Sequence, residues 1–495
     1  MLRAIRSTLS GPTDDANNST ASSARGGAGE YQAVATSIGD ELDDEAEHLE
    51  LIGKHDKKVY LCFWALGAGV LMSWNALICT IPLLGTFFPP DSAIRGTLAS
   101  YLSTAYCFGN LFFLGLAQRS VGKTSPSKRL HYALLLLLAT ALILTFPLLP
   151  LVLPRLSPAA LFPALIAITI TLSLSTAYLQ SAVFALASLW GSNEMIAVMS
   201  GQGGIAVLVS GIQWLLAVLS ASTPTAKHPS DDPADAASAS TLAGVGLWAL
   251  GSAGTLLCVV AHRYLIVHPG YQAVMSSVIN RQAEETAGIG ADVVAAATSK
   301  NGRGSSLTKK VFMKNLSLET AVAWVFVVTL SVFPPVTTTI LSTHVPTPRL
   351  LQPDVFIPLH FLLFNIGDYT GRTYLPSIPS LLVTSPPRVL TLSALRTLFI
   401  PLLFLCNVSS TTSRSSPSQL INSDILYFVV IILFGLTNGY ISSLCMIVAS
   451  SPQLNAKLDE DERDVAGTLT SFCLVAGLAG GSLASFGTSW LMSRG

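Results

Sequence analysis

The chain has 495 residues, 51% of them hydrophobic and only 11% charged, where an ordinary soluble domain carries about 25% charged residues. That balance excludes a water-soluble globular protein and predicts an all-α polytopic membrane protein lying in a lipid bilayer. Formal net charge is zero, so charge gives no ground for nucleic-acid binding or an acidic substrate.

Residues 1–57 are rich in Ser, Gly, Ala and acids and lack an apolar signal-peptide core, so they read as a disordered cytosolic tail. Within it "EHLELIG" sets Glu47 four residues before the Leu51–Ile52 pair. This fits an acidic dileucine sorting signal, read by endosomal or vacuolar adaptors. It equally fits a solvated approach to the first helix, and both readings stay open.

Crossing a hydrocarbon core takes about 20 apolar residues at helical rise. Eleven segments meet that need: 59–84, 97–117, 130–153, 161–189, 195–219, 242–267, 318–341, 355–375, 389–406, 424–449 and 465–492. The long polar connection after the sixth divides the chain. A six-helix bundle is expected over 58–267, a cytosolic linker loop over 268–316 and a five-helix bundle over 317–495. Lys and Arg set the orientation. With the N-terminus in the cytosol, the opposite face holds just Arg95, Arg155, Lys227, Arg349, Arg414 and Arg494, and most other cations fall on the cytosolic side. The C-terminus is then lumenal or extracellular.

The seven cysteines are scattered, with no CxxC and no paired histidine, so neither a zinc site nor a disulfide framework is signalled. No HExxH, GxSxG or Walker A pattern occurs, and "GIG" at Gly288 lacks the third glycine of a dinucleotide loop. No enzymatic activity, cofactor or ATP-driven pumping is expected. Gly477 and Gly481, four apart in the last span, read as close-packing positions.

Charges inside the spans are costly, about 2.5–3.5 kcal/mol each near a helix centre, and so mark candidate sites. In "HFLLFNIGDYTGRTYL" the 100° helical step puts Asn365, Asp368 and Arg372 on one face, with Gly367 and Gly371 on a flank able to seat the helix against a neighbour. Asp before Arg at four residues is the favourable order for an ion pair. Such a pair is either an internal clamp or a site for a polar, uncharged solute, and near balance of charge suits a neutral ligand. Other spans offer Trp74 and Asn75 in "LMSWNAL", Gln180 in "AYLQSAVF", Gln202 in "MSGQGG", Arg396 in "LRTLFIPL" and Asn438 with Tyr440 in "TNGYISSLC". Each alone fits interhelical hydrogen bonding. Together they fit one cavity of a carrier for a small polar molecule.

"FNIGDYTGR" resembles the eighth-helix signature of the equilibrative nucleoside transporter family. "SWNAL", "LQSAVFALASL", "MSGQGG", "LRTLFIPLLFLCN", "TNGYISSLCM" and "AGTLTSFCLVAGLAGG" follow its pattern in order. The resemblance implies a major-facilitator-like fold of six plus five helices that moves nucleosides by alternating access and facilitated diffusion. It implies that Trp74 meets the nucleobase with Leu71 nearby, that Gln180 bonds the base, and that Asp368 and Arg372 address the ribose. Asn75, Gln202, Asn365, Arg396 and Asn438 would support the cavity or its gates. "MSWN" departs from the pattern, where many members carry a proline before the tryptophan. Likeness to fungal intracellular members favours a vacuolar or endolysosomal membrane over the plasma membrane. Proton assistance stays open through Asp368, Glu194 or His360. So do a carrier of another neutral solute, a nucleobase or sugar, and a non-transporting membrane enzyme or scaffold.

Overall fold

The Asp56 carboxylate accepts the backbone amide of Lys58 at 2.8 Å and so caps the first helix. The computed structural model describes residues 56–89, 91–121, 124–222, 233–276, 293–406 and 421–494. The signal at Glu47, Leu51 and Ile52 lies outside them. Among the described residues, eleven helical segments follow in order: α1 (Lys57–Thr86), α2 (Ala93–Ser120), α3 (Pro126–Ile143), α4 (Pro158–Trp190), α5 (Ser192–Ser222), α6 (Pro233–Val267), α7 (Val293–Val332), α8 (Pro353–Thr373), α9 (Pro386–Leu395), α10 (Asp424–Ser450) and α11 (Arg463–Arg494). Proline opens α3, α4, α8 and α9, where its missing N–H costs nothing and its fixed φ suits the first turn.

Prolines further along change the helix instead. Pro147 and Pro150 lie in Leu144–Val152, where α3 continues with the wider i→i+5 pattern. Pro401 denies the Thr397 carbonyl its donor, and α9 passes through a 3₁₀ turn at Arg396–Leu398 before Phe399–Phe404 resumes the helix. Helix α7 reaches back to Val293, within the segment read from sequence as linker. A single residue, Gly191, joins α4 to α5 at φ 149°, a backbone that side chains rarely adopt.

Nine of these segments are long and apolar enough to cross a membrane, and α2 and α8 fall short. Helix α8 carries Asp354, Asp368 and Arg372 within its 21 residues, so the charges that mark it as functional also lower its hydropathy. Large apolar side chains stand exposed on many helices, among them Phe112, Leu216, Leu257 and Leu483. That outward apolar surface is the one a hydrocarbon solvent requires.

Glycines set how closely helices meet. A Cβ at Gly367 or Gly371 would fall on the α10 backbone at Ile432 and Leu436. A Cβ at Gly435 or Gly439 would fall on the α8 backbone at Phe364 and Asp368. The two helices therefore interlock through paired small residues. The same contact joins α1 to α5 through Gly67 and Gly201, and α7 to α11 through Gly477 and Gly481 against Ala323 and Phe326.

Burial is concentrated at one end of the bundle. Every residue of 179–190 on α4, 195–203 on α5, 441–450 on α10 and 464–471 on α11 is buried, whereas 211–219 of α5 holds none. Gly371→Val forces α8 and α10 apart, so it should lower stability by about 2 kcal/mol or more. Gly487→Ala, with open space at its Cβ, should stay within about 1 kcal/mol. Thermal unfolding of the purified variants in detergent checks the contrast, and equal melting temperatures would refute the interlock.

Candidate substrate-binding site

The α8–α10 seam sets Asp368 and Arg372 where both α5 and α10 supply partners. Arg372 Nε donates to Asp368 Oδ2 at 2.6 Å, and Asn438 Nδ2 of α10 donates to the other carboxylate oxygen at 2.6 Å. On its far side the guanidinium reaches α5, where Arg372 Nη1 lies 3.4 Å from Gln202 Oε1 and 3.9 Å from Met199 Sδ. Asp368 and Arg372 are 5% and 6% exposed. A charge pair this dry must be satisfied by hydrogen bonds on its remaining atoms, and this one is satisfied from two other helices.

The network continues behind Asn438. Its Oδ1 accepts from Thr329 Oγ1 at 2.7 Å and from Arg396 Nη2 at 3.4 Å. Arg396 is 1% exposed. Its Nη2 also donates to Thr329 Oγ1 at 2.8 Å, and its Nη1 donates to the Phe434 carbonyl at 3.0 Å and to the Thr437 hydroxyl. The guanidinium carbon lies 4.8 Å from the centre of the Phe434 ring, a cation–π distance. The 3₁₀ turn in α9 presents Arg396 at this point. One connected network thus holds Gln202, Asp368, Arg372, Asn438 and Arg396.

The other expected residues stand elsewhere. Asn365 donates to the Ala206 carbonyl of α5 at 3.4 Å, while Asn75 turns back on α1 to the Leu71 carbonyl at 2.8 Å. The Trp74 ring tilts against Tyr106, with centroids 4.5 Å apart. Beside it Tyr106 donates to Thr176 at 2.9 Å, and Ser73 lies 2.8 Å from the same hydroxyl. Gln180, one turn along α4, donates to Ser471 Oγ of α11 at 2.9 Å. An apolar groove of about 430 Å³ between α1, α5 and α6 is lined by Trp64, Met72, Gly204, Leu257 and Tyr369, but by none of Trp74, Gln180, Asp368 or Arg372. All seven cysteines are free, and no cluster of metal-ligating side chains occurs among the described residues.

A family model described as nucleoside transporter matches residues 165–489. The chain belongs to the nucleoside transporter family. The matched span covers Gln180 and the whole Asp368 network, and Leu71, Trp74 and Asn75 precede it. Equilibrative nucleoside transporter 1 of Rattus norvegicus is 26% identical over 471 residues, 87% of this chain and 96% of that protein. Nucleoside transporter FUN26 of Saccharomyces cerevisiae is 27% identical over 451 residues, 86% of this chain and 83% of that protein. Equilibrative nucleoside transporter 2 of Homo sapiens reaches 37% over 189 residues, 38% of each chain. Among solved structures, the major facilitator superfamily proton:xylose symporter XylE superposes with a TM-score of 0.51, covering 88% of each chain at 13% identity. That likeness identifies the fold. The family and the major-facilitator-like helical fold are those that the signature segments implied, with nine of the eleven expected spans long and apolar enough among the described residues.

Sequence reasoning missed Thr329, Tyr106, Thr176 and Ser471. Thr329 sits with Ser331 in the otherwise apolar run "FVVTLSV", and a helix hydroxyl can satisfy itself on its own helix, where the Val325 carbonyl lies 2.8 Å from Thr329. Asn438→Leu strips Asp368 of a donor and deprives Thr329 and Arg396 of an acceptor, so it should destabilise the protein by about 3 kcal/mol. Tyr106→Phe, which loses one neutral hydroxyl, should cost about 1 kcal/mol. If denaturation midpoints rank these two in the reverse order, Asn438 is not the hub of the network.

Proposed function

We propose that the chain carries nucleosides across a membrane by facilitated diffusion, with alternating access to a site between helices α1–α6 and α7–α11. The observation that carries this reading is the buried Asp368–Arg372 pair in a member of the nucleoside transporter family. The pair is anchored on α8 and reaches α5 of the other half through Gln202. A carboxylate oxygen can accept more than one hydrogen bond and a guanidinium carries five donors, so the pair keeps capacity for the hydroxyls of a ribose. Trp74, with Leu71 nearby, offers a face for the base, and Gln180 offers a donor and an acceptor for its polar edge. Asn75, Gln202, Asn365, Arg396 and Asn438 support the cavity and its gates.

The dense burial at one end, with Gln180–Ser471, Arg372–Gln202, Thr373–Ser200 and Ser192–Ser451 crossing between the halves, supports a state closed at that end. On this reading 58–267 and 317–495 form the two bundles, joined by a cytosolic linker over 268–316, with 1–57 a cytosolic tail. The N-terminus faces the cytosol and the C-terminus the lumen or exterior. The host membrane is vacuolar or endolysosomal, reached through an adaptor that reads Glu47, Leu51 and Ile52.

Uptake of radiolabelled adenosine and uridine into liposomes holding the purified protein tests the function, with and without a pH gradient. Wild type should equilibrate both nucleosides. Asp368→Asn and Arg372→Ala should lower uptake at least about tenfold, the loss of one charged hydrogen bond. A folded wild type without uptake would falsify the transporter reading. Two variants with wild-type rate and affinity would remove Asp368 and Arg372 from the site.

A further inference from the structure

Asp368 touches the ligand on the proposed reading, yet its own position is set by groups the ligand does not reach. The Asn438 carboxamide can face Asp368 with either its nitrogen or its oxygen. Only one choice is compatible with what lies behind it. Arg396 has donors and no acceptor, so the end of Asn438 that meets Arg396 Nη2 must be the oxygen. The Thr329 hydroxyl, which accepts from Arg396 at 2.8 Å, then directs its single proton to that oxygen at 2.7 Å, in competition with the Val325 carbonyl at 2.8 Å. The nitrogen is left facing Asp368 Oδ1, at 2.6 Å. Arg396 is itself fixed by the Phe434 carbonyl, the Thr437 hydroxyl and the Phe434 ring.

We propose that Thr329 and Arg396 are specificity-setting positioning residues. They hold the Asn438 carboxamide with its nitrogen toward Asp368, which fixes that carboxylate as an acceptor for the hydroxyls of a ribose diol. This rests on the nucleoside reading of the same site and adds to it the ligand feature that is selected. With the carboxamide reversed, the Asn438 oxygen would face the carboxylate, and two acceptors cannot share a contact without a proton between them. The polar face toward the ligand would then lose its defined geometry, and a ribose would lose its advantage over a sugar without hydroxyls.

The test measures inhibition of labelled adenosine uptake into proteoliposomes by adenosine and by dideoxyadenosine, which lacks both secondary ribose hydroxyls. Wild type and Thr329→Ser should share one preference for adenosine, within about twofold. Thr329→Val keeps the side-chain shape and removes the hydroxyl. It should weaken adenosine about fivefold, the effect of one net hydrogen bond, while leaving dideoxyadenosine unchanged. Arg396→Lys, which cannot serve Thr329 and Phe434 from one planar group, should shrink the preference in the same way. If Thr329→Val does not give monodisperse protein, Thr329→Ala carries the same expectation. An unchanged preference in the folded variants, or equal weakening of both ligands, overturns the positioning role. Failure of wild type to take up adenosine at all overturns the nucleoside reading instead.

Discussion

A carboxylate and a guanidinium cannot lie in hydrocarbon without partners, and the arrangement of α5, α7, α8, α9 and α10 follows from supplying them. Asp368 and Arg372 neutralise one another along α8, but an ion pair alone leaves lone pairs and N–H groups unmet. Asn438 and Gln202 meet them from two sides. Asn438 in turn needs acceptor-side partners, and Thr329 and Arg396 provide them. The chain of dependence runs from the charge on α8 to the turn in α9. It explains why a second buried arginine is tolerated there: Arg396 is held by a carbonyl, two hydroxyls and an aromatic face.

Glycines mark where helix backbones come into contact, and a looser approach of this kind, Gly467 of α11 against the Phe184 carbonyl of α4, also joins the two halves. The tightest approaches are α1 with α5, α8 with α10 and α7 with α11, each within one of the two groups α1–α6 and α7–α11. Among the contacts across the groups are hydroxyl and amide bonds and the guanidinium bond of Arg372 to Gln202. The neutral bonds among them contribute about 1 kcal/mol each, little enough to be exchanged for bonds to a ligand. On the proposed carrier reading this is the needed contrast, with stiff units and a weakly bonded surface between them.

Much of α8 was legible as text. Helical periodicity set Asp368 and Arg372 four apart on one face, and local geometry made their pairing a property of the helix itself. The glycine flank was legible for the same reason, because small residues at that spacing leave a groove whatever fills it. What filled it was not. Gly435 and Gly439 lie far along the chain, and only the docked helices show that they complete the seam. Thr329 was invisible because its partner is 109 residues away and its own helix offers a competing acceptor.

The sequence by itself determined the membrane class, the helical segments, the polar face of α8 and the family that its signature segments mark. These depend on composition and on spacing within one helix, which a linear text records. The tertiary structure decided which polar residues form one network, placing Gln202 on Arg372, Asn438 on Asp368 and Arg396 behind Asn438, while setting Trp74 on Tyr106 and Gln180 on Ser471. That sorting turns on helix rotation and on approaches between distant segments, and hydrogen bonds act over about 3 Å, a scale at which only the packed helices define neighbours.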